Sequence, residues 1–234
     1  MKIHDSPLAR KLGAFVALSD ADLGVLSDLF RRRRRFAPQT DMIFEGQVDQ
    51  SAYVVASGWV CSYKLLKTGG RQIVDFQIPG DFLGLRSVLF RTSDHNIEPV
   101  TEVEASELTA GDLLNAFHRT PRLATAVLWA ASRDEAMVVE HLVGLGRRDA
   151  TERMAHFLLE LYARLRLSDW RTSKAMTVRC HSIYWPMHWD LAPSTSTGCC
   201  GNCATRASAL FRRAVSCLTT MKDSSILRAS IAPI

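Results

Sequence analysis

The chain contains no apolar run approaching the ~18 to 20 residues that a membrane-spanning helix needs. Its N-terminus lacks the basic, then apolar, then small-residue order of a secretory signal. A soluble cytoplasmic protein with no membrane partner is the expectation. Catalytic groupings are missing as well: no Ser/His/Asp or Cys/His arrangement and no pair of carboxylates stands out, so an enzyme is not expected. Cysteine is nearly absent from the first 170 residues, where Cys61 stands alone. That scarcity excludes an iron–sulfur sensor, which takes about four cysteine ligands. Without a secretion signal, a disulfide framework is not expected either.

What is present is a 234-residue chain with 47% hydrophobic and 23% charged residues, enough for one large domain or two modest ones around a real core. The net charge of +5 is unevenly spread. Residues 1–170 carry 21 Lys and Arg against 22 Asp and Glu, whereas residues 171–234 carry 8 against 2. The other five cysteines (Cys180, Cys199, Cys200, Cys203, Cys217) also fall in that last segment. Charge and cysteine therefore divide the chain at the same place, and the total charge is a poor guide to nucleic-acid binding by the body.

Leu8, Leu12, Phe15 and Val16 recur at helical spacing, and Ser19 to Asp22 reads as a cap before a second short helix carrying Leu23, Leu26 and Phe30. Arg31 to Arg35 follow; with no interleaved aromatics they read as a solvated face or a charge-protected edge strand rather than a nucleic-acid patch. From Phe36 to about Glu107 short strands alternate with turns. Met42-Ile43-Phe44, Tyr53-Val54-Val55, Trp59 to Leu66 and Gln72 to Phe76 are punctuated by Gly46, Gly58, Gly69-Gly70 and Pro79-Gly80. That grammar predicts an antiparallel roll or barrel. Thr120-Pro121 then opens a helix of more than 20 residues. Along it Leu128, Ala131, Glu135, Val138, Leu142 and Leu145 recur at spacings of three and four, the seam of a helix that pairs with another helix. Packing on its own roll would use the same pattern, and the length makes self-pairing in a dimer at least as good a reading. After Gly146 to Asp149 a second amphipathic helix carries Met154, Phe157, Leu158, Leu161 and Leu165 on one stripe.

Three strand-and-turn segments, Ile43-Phe44-Glu45-Gly46, Tyr53 to Gly58 and Pro79-Gly80-Asp81-Phe82-Leu83-Gly84, precede the long helix and the stretch Leu145 to Leu161. In that order they resemble the cyclic-nucleotide-binding jelly roll, dimerisation helix and DNA-binding entry helix of the CRP/FNR superfamily of bacterial transcription regulators. The resemblance covers roughly residues 8–166. It implies an α+β fold: a sensory antiparallel β-roll (jelly roll) with N-terminal helices over residues 1–115, a long dimerisation helix over 116–146, and the first helix of a DNA-binding domain over 147–170. It further implies a homodimer that senses a small effector and passes the signal to a winged helix-turn-helix contacting DNA and RNA polymerase.

Residues 171–234 do not read as that domain. Pro186 and Pro193 interrupt, amphipathic segments are short, and an irregular or poorly folded tail is expected beyond about residue 170. A codon argument accounts for this. When each codon is assembled from the third base of one residue and the first two bases of the next, Tyr184 to Asp190 are compelled to read Leu-Ala-x-Ala-Leu-Gly, where x is Asp, Asn, His or Tyr. Family members characteristically carry Leu-Ala-Asp-Ala-Leu-Gly-Leu-Ser at the start of the helix-turn-helix, and Leu191-Ala192 permit the serine. Thr197 to Ala204 permit Arg-Val-Leu-Arg-Gln-Leu-Arg, with both leucines compelled, similar to an arginine-bearing recognition helix. Residues 206–218 permit a Gly-Leu … Gly-Arg-Val-Val-Leu pattern like the family's wing. The segment from between about 165 and 176 onward is therefore read as frameshifted, natural or from sequencing, and DNA binding by the chain as given is expected to be impaired. The tail cysteines follow, because leucine codons ending in TG become cysteine codons out of phase. A zinc site built on Cys199, Cys200 and Cys203 with His181 or His188 is the weaker reading, since a lone C-x-x-C lacks its second pair. Arg212-Arg213 is likewise weak evidence for DNA.

In the roll, Gly80, Asp81, Phe82, Leu83, Gly84, Arg86 and Ser87 occupy the position of the family's effector-binding cassette. A cyclic phosphate needs backbone N–H groups and a fixed arginine, and a ribose hydroxyl needs a carboxylate. Cyclic-AMP-binding members carry a glutamate after the second glycine and an Arg-Ser pair entering the next strand; here Leu85-Arg86 and the region of Ile97-Glu98-Pro99 stand instead. Cyclic AMP is therefore not the expected effector, and no cofactor or metal is assigned. His95 is read as a surface-loop residue rather than a haem ligand. The rival functional reading is a stand-alone cyclic-nucleotide-binding-like ligand or interaction module with a novel tail and no DNA binding.

Overall fold

The computed structural model describes residues 3–168, which fall into two units: one over 3–138 with 167–168, and a second over 139–166. Residues 171–234, on which the frameshifted winged helix-turn-helix and the cysteine and histidine cluster are expected, lie outside the described residues.

The first unit opens with a 3-10 turn, Ile3–Asp5, and two short helices, α1 (Pro7–Gly13) and α2 (Asp20–Leu29). Both starts are written in the sequence. Ser6 caps α1, with Pro7 in the first turn where its missing N–H costs nothing. Ser19 and Asp22 form a reciprocal capping box on α2. Seven strands follow: β1 (Arg33–Phe36), β2 (Ala52–Ser57), β3 (Val60–Leu65), β4 (Arg71–Gln77), β5 (Phe82–Leu83), β6 (Asn96–Pro99) and β7 (Val103–Leu108), with α3 (Leu85–Phe90) between β5 and β6. They form two antiparallel sheets, ordered β1-β7-β2-β5 and β4-β3-β6. The α+β class and the antiparallel roll expected from the turn spacing are what the chain forms. Met42-Ile43-Phe44, expected as a strand, is not one: Ile43 makes a single bridge to Ile97, and the chain turns away at Gly46, which adopts φ +79°.

Strand β2 serves two cores because its side chains alternate. Ala52 and Val54 pack with Leu8, Leu12, Leu26, Leu108 and Leu123 against the helices. Tyr53 and Val55 pack with Ile43, Val60, Leu83, Ile97 and Val103 inside the roll. Gly58 turns β2 into β3 at φ +88°, and a Cβ there would lie 2.2 Å from the Glu102 carbonyl oxygen, so no other residue fits.

Helix α4 (Ala110–Arg119), capped by Thr109 and Asp112, leads through Thr120 into α5 (Pro121–Arg147), and α6 (Ala150–Leu167) follows. The 27-residue α5 is the long helix expected from Thr120-Pro121. The Glu152 N–H donates to the Asp149 carboxylate (2.9 Å) and the Asp149 N–H donates to the Glu152 carboxylate (3.0 Å) to start α6, whose Phe157, Leu158, Leu161 and Leu165 are buried as the stripe predicts. No helix among the described residues is long and apolar enough to cross a membrane.

Candidate functional site

The cassette position is a tight turn locked to β2. The Gly80 N–H donates to the Val55 carbonyl (2.8 Å) and the Val55 N–H donates to the Asp81 carbonyl (3.0 Å). Gly80 adopts φ +94°, and a Cβ there would meet the Pro7 carbonyl carbon and oxygen at 2.9 Å, so α1 rests directly on this glycine. Phe82 and Leu83 are buried and pair with Val54 and Tyr53. Gly84, at φ +67°, starts α3, and a Cβ on it would strike Ile43 Cδ1 at 2.5 Å.

The polar members of the cassette separate into three environments. Asp81 is buried and accepts from the Ile78 N–H (3.0 Å) and from Lys11 Nζ (2.9 Å). Arg86 points outward to Asp94 (3.1 Å), with its side chain 62% exposed. Ser87 is fully buried, and its hydroxyl has no hydrogen-bond partner. Leaving a buried polar group unpaired costs about 1–3 kcal/mol. Gln50 Nε2, Gln77 Oε1 and Asn96 Nδ2 are orphaned in the same way. The geometry does not bring Arg86 and Ser87 together into one phosphate cradle.

A second arginine, which no local sequence pattern marks, lies in the roll. Arg71 at the start of β4 binds Glu98 of β6 (2.6 Å), with Glu98 only 2% exposed, and its guanidinium lies 4.3 Å from the Tyr63 ring centroid. The signal was a glutamate inside the short apolar strand Ile97-Glu98-Pro99, a charge that folding requires to be paired. Nearby, the Tyr63 hydroxyl donates to Asp41 (2.9 Å), and burial together with that bond pushes the phenol well above its ordinary range. Burial pushes the Cys61 thiol up to about 12, so it behaves as an inert core group rather than a nucleophile. His95 bonds Asp94 through Nδ1 (2.7 Å). Among the described residues no group of three or more His, Cys, Asp or Glu is placed to hold a metal.

The arginine run forms the charge-protected edge strand. Arg31 pairs with Asp28 (2.7 Å), Arg32 with Asp112, Arg33 with Glu104 (3.2 Å) and Arg34 with Glu107 (3.4 Å). Four of the five positive charges are thus answered by carboxylates of the same unit.

Helix α5 carries two different faces. Leu123, Ala126, Val127 and Ala130 are buried in the core cluster. The seam residues Leu128, Ala131, Glu135, Val138, Leu142 and Leu145 are all exposed, Leu128 at 67% and Leu142 at 62%. In the second unit the end of α5 and α6 carry polar pairs, of which His141–Glu160 and His156–Glu140 join the two helices. His141 Nε2 lies 2.7 Å from Glu160, Arg164 donates to Glu160 (3.3 Å), Arg148 binds Glu140 (3.0 Å), and His156 stands 3.7 Å from Glu140.

An antiparallel roll with a glycine-bounded turn, followed by a long helix, is the architecture of a cyclic-nucleotide-binding-type domain. Residues 33–120 match the family model for the cyclic nucleotide-binding domain. The chain is 33% identical over 134 residues to the nitrogen fixation regulation protein FixK of Bradyrhizobium diazoefficiens, covering 57% of this chain and 56% of that protein. It is 38% identical over 131 residues to FixK of Azorhizobium caulinodans, covering 55% and 51%. Among solved structures, FixK2 from Bradyrhizobium japonicum superimposes with a TM-score of 0.51 at 29% identity over 56% of this chain and 66% of that one. Through this region the chain is similar to these regulators. It spans about half the length of the curated relatives it matches.

Proposed function

We propose that the chain is an effector-sensing bacterial transcription regulator of the CRP/FNR type that dimerises through α5 and whose DNA binding is impaired as given. The observation that carries the reading is the division of α5 into a face spent on the roll and an exposed apolar seam. A helix this long in water keeps such a seam for another helix, and a second copy supplies the matching one. Cyclic AMP is the disfavoured effector in this reading: Arg86 and Arg71 are both engaged by carboxylates. In an intact family member DNA and RNA polymerase are the macromolecular partners. Here the helix-turn-helix lies in the shifted frame, and neither a metal nor a further cofactor is assigned.

Sedimentation velocity of the full chain tests the reading directly, with a dimer expected and a monomer at tens of micromolar overturning it. A thermal-shift screen with cyclic nucleotides and other small effectors tests the sensing arm. A ligand that binds only the native state at a hundred times its Kd adds about 2.7 kcal/mol of stability. Cyclic AMP is expected to leave Tm unchanged.

A further inference from the structure

Lys11 lies on the buried side of α1 with its side chain only 5% exposed, and its Nζ reaches Asp81 in the cassette turn (2.9 Å) and Asp134 on α5 (3.5 Å). A buried ammonium is a poor source of stability, because desolvation offsets most of its attraction; such groups are best accounted for when they fix a register or a switch. The three elements it joins are also mechanically continuous. The Pro7 backbone sits on Gly80, Leu8 and Leu12 anchor α1 in the core, and the Asp81 carboxylate that holds Lys11 also holds the Ile78 N–H. On the other side, Asp134 lies one turn beyond Ala130, the last α5 residue in the core cluster. Lys11 therefore stands where α5 leaves the apolar surface of the roll.

We propose that Lys11 is a coupling residue that ties the position of the cassette turn to the docking of α5. A shift of the turn moves Asp81, which leaves the buried ammonium under-compensated on one side and loosens α1 and α5 together. The coupling runs equally in reverse. Its regulatory meaning rests on the roll being a sensor, but the coupling itself is a property of the effector-free chain.

The test is hydrogen exchange on the full chain without effector, comparing the native protein with Lys11→Met, Asp134→Asn and the surface control Lys64→Gln. Lys11→Met is expected to speed exchange both at 77–82, where the Ile78 amide reports on Asp81, and at 131–138. Asp134→Asn, at a half-buried site that keeps the fold if Lys11→Met does not, is expected to speed exchange at 77–82 by roughly three-fold or more. Lys64→Gln should change neither segment. Faster exchange confined to 131–138 in Asp134→Asn overturns the coupling, whatever the fold of Lys11→Met. A thermal-shift screen with no responding effector would overturn the sensor reading while leaving this result intact.

Discussion

Two glycines with similar backbones separate the cost of conformation from the cost of contact. Gly69 adopts φ +83° with open space around it, whereas Gly80 adopts φ +94° with the Pro7 backbone 2.9 Å from where a Cβ would stand. Gly69→Ala is expected to lose about 1 kcal/mol, the conformational penalty alone. Gly80→Ala adds a backbone collision and should lose on the order of 2–4 kcal/mol, read as the difference between the two denaturation midpoints. A second residue-level expectation concerns acid. Burial, then the positive charge of Arg148, hold His156 below its ordinary value of 6.5, against the opposing pull of Glu160 and Glu140 and with a small further lowering from His141. The folded state thus favours neutral His156, so its contribution is full above 6.5 and declines as pH falls through 6.5 toward the lower folded value. At Glu160 burial raises the carboxyl, but the bond and charge from His141 and the charge and bond of Arg164 outweigh it and hold it below 4.5. Its contribution is full above 4.5 and lost only as pH falls below that. His156→Gln should therefore flatten the decline in Tm between about pH 7 and 5.5 and leave the steeper loss below pH 4.5 in place. An unchanged slope would place the titration elsewhere.

Among the elements, those with a local signature were readable and those made by distant partners were not. Ser19 with Asp22 and Thr120-Pro121 announce helix starts because capping depends on neighbours in the chain. The roll was readable from its glycine turns, down to β4 and the Pro79-Gly80 corner. Met42 to Phe44 has strand-like residues yet only one bridge, since pairing depends on what lies opposite, and the opposite strand β6 is only four residues long. The cassette residues were legible as a segment but not in their roles: nothing in Leu85-Arg86-Ser87 says that the arginine points to solvent and the serine inward. Likewise the Arg71–Glu98 pair spans 27 residues, beyond any local pattern. For α5 the three-and-four spacing did distinguish a second face, and that face carries a prediction. Leu142→Glu places a charge on the seam at a position 62% exposed in the single chain, so it should leave the monomer's unfolding free energy within about 0.5 kcal/mol of native while weakening self-association by at least ten-fold. Leu114→Glu, 70% exposed on α4, is the control that should leave association unchanged in sedimentation equilibrium. Equal effects from both would mean that association does not run along α5.

In the chain as a whole, charge is the property that misleads first. A net +5 suggests a nucleic-acid binder, yet residues 1–170 carry 21 positive against 22 negative side chains, and the arginine run in them is matched by Asp28, Asp112, Glu104 and Glu107. The DNA-reading surface is instead expected from the codons under residues 176–218 taken in the other phase, where Leu-Ala-x-Ala-Leu-Gly is compelled by Tyr184 to Asp190. That makes a prediction about two chains sharing one body. The chain as given should bind a palindromic duplex only weakly, without sequence preference. A chain whose frame is restored near residue 170 should bind as a dimer, tighter than nonspecific DNA by about 10³-fold or more. Each phosphate contact it gains steepens the salt dependence of log K by about 0.9. Fluorescence anisotropy at two salt concentrations reads both quantities. Leu142→Glu in the restored chain should reduce the specific term, because two-fold contact with a palindrome needs the seam closed. A stop codon interrupting the alternate frame within codons 176–218, or equal DNA affinity in the two chains, would overturn the frameshift and leave the novel tail of a stand-alone module as the better account.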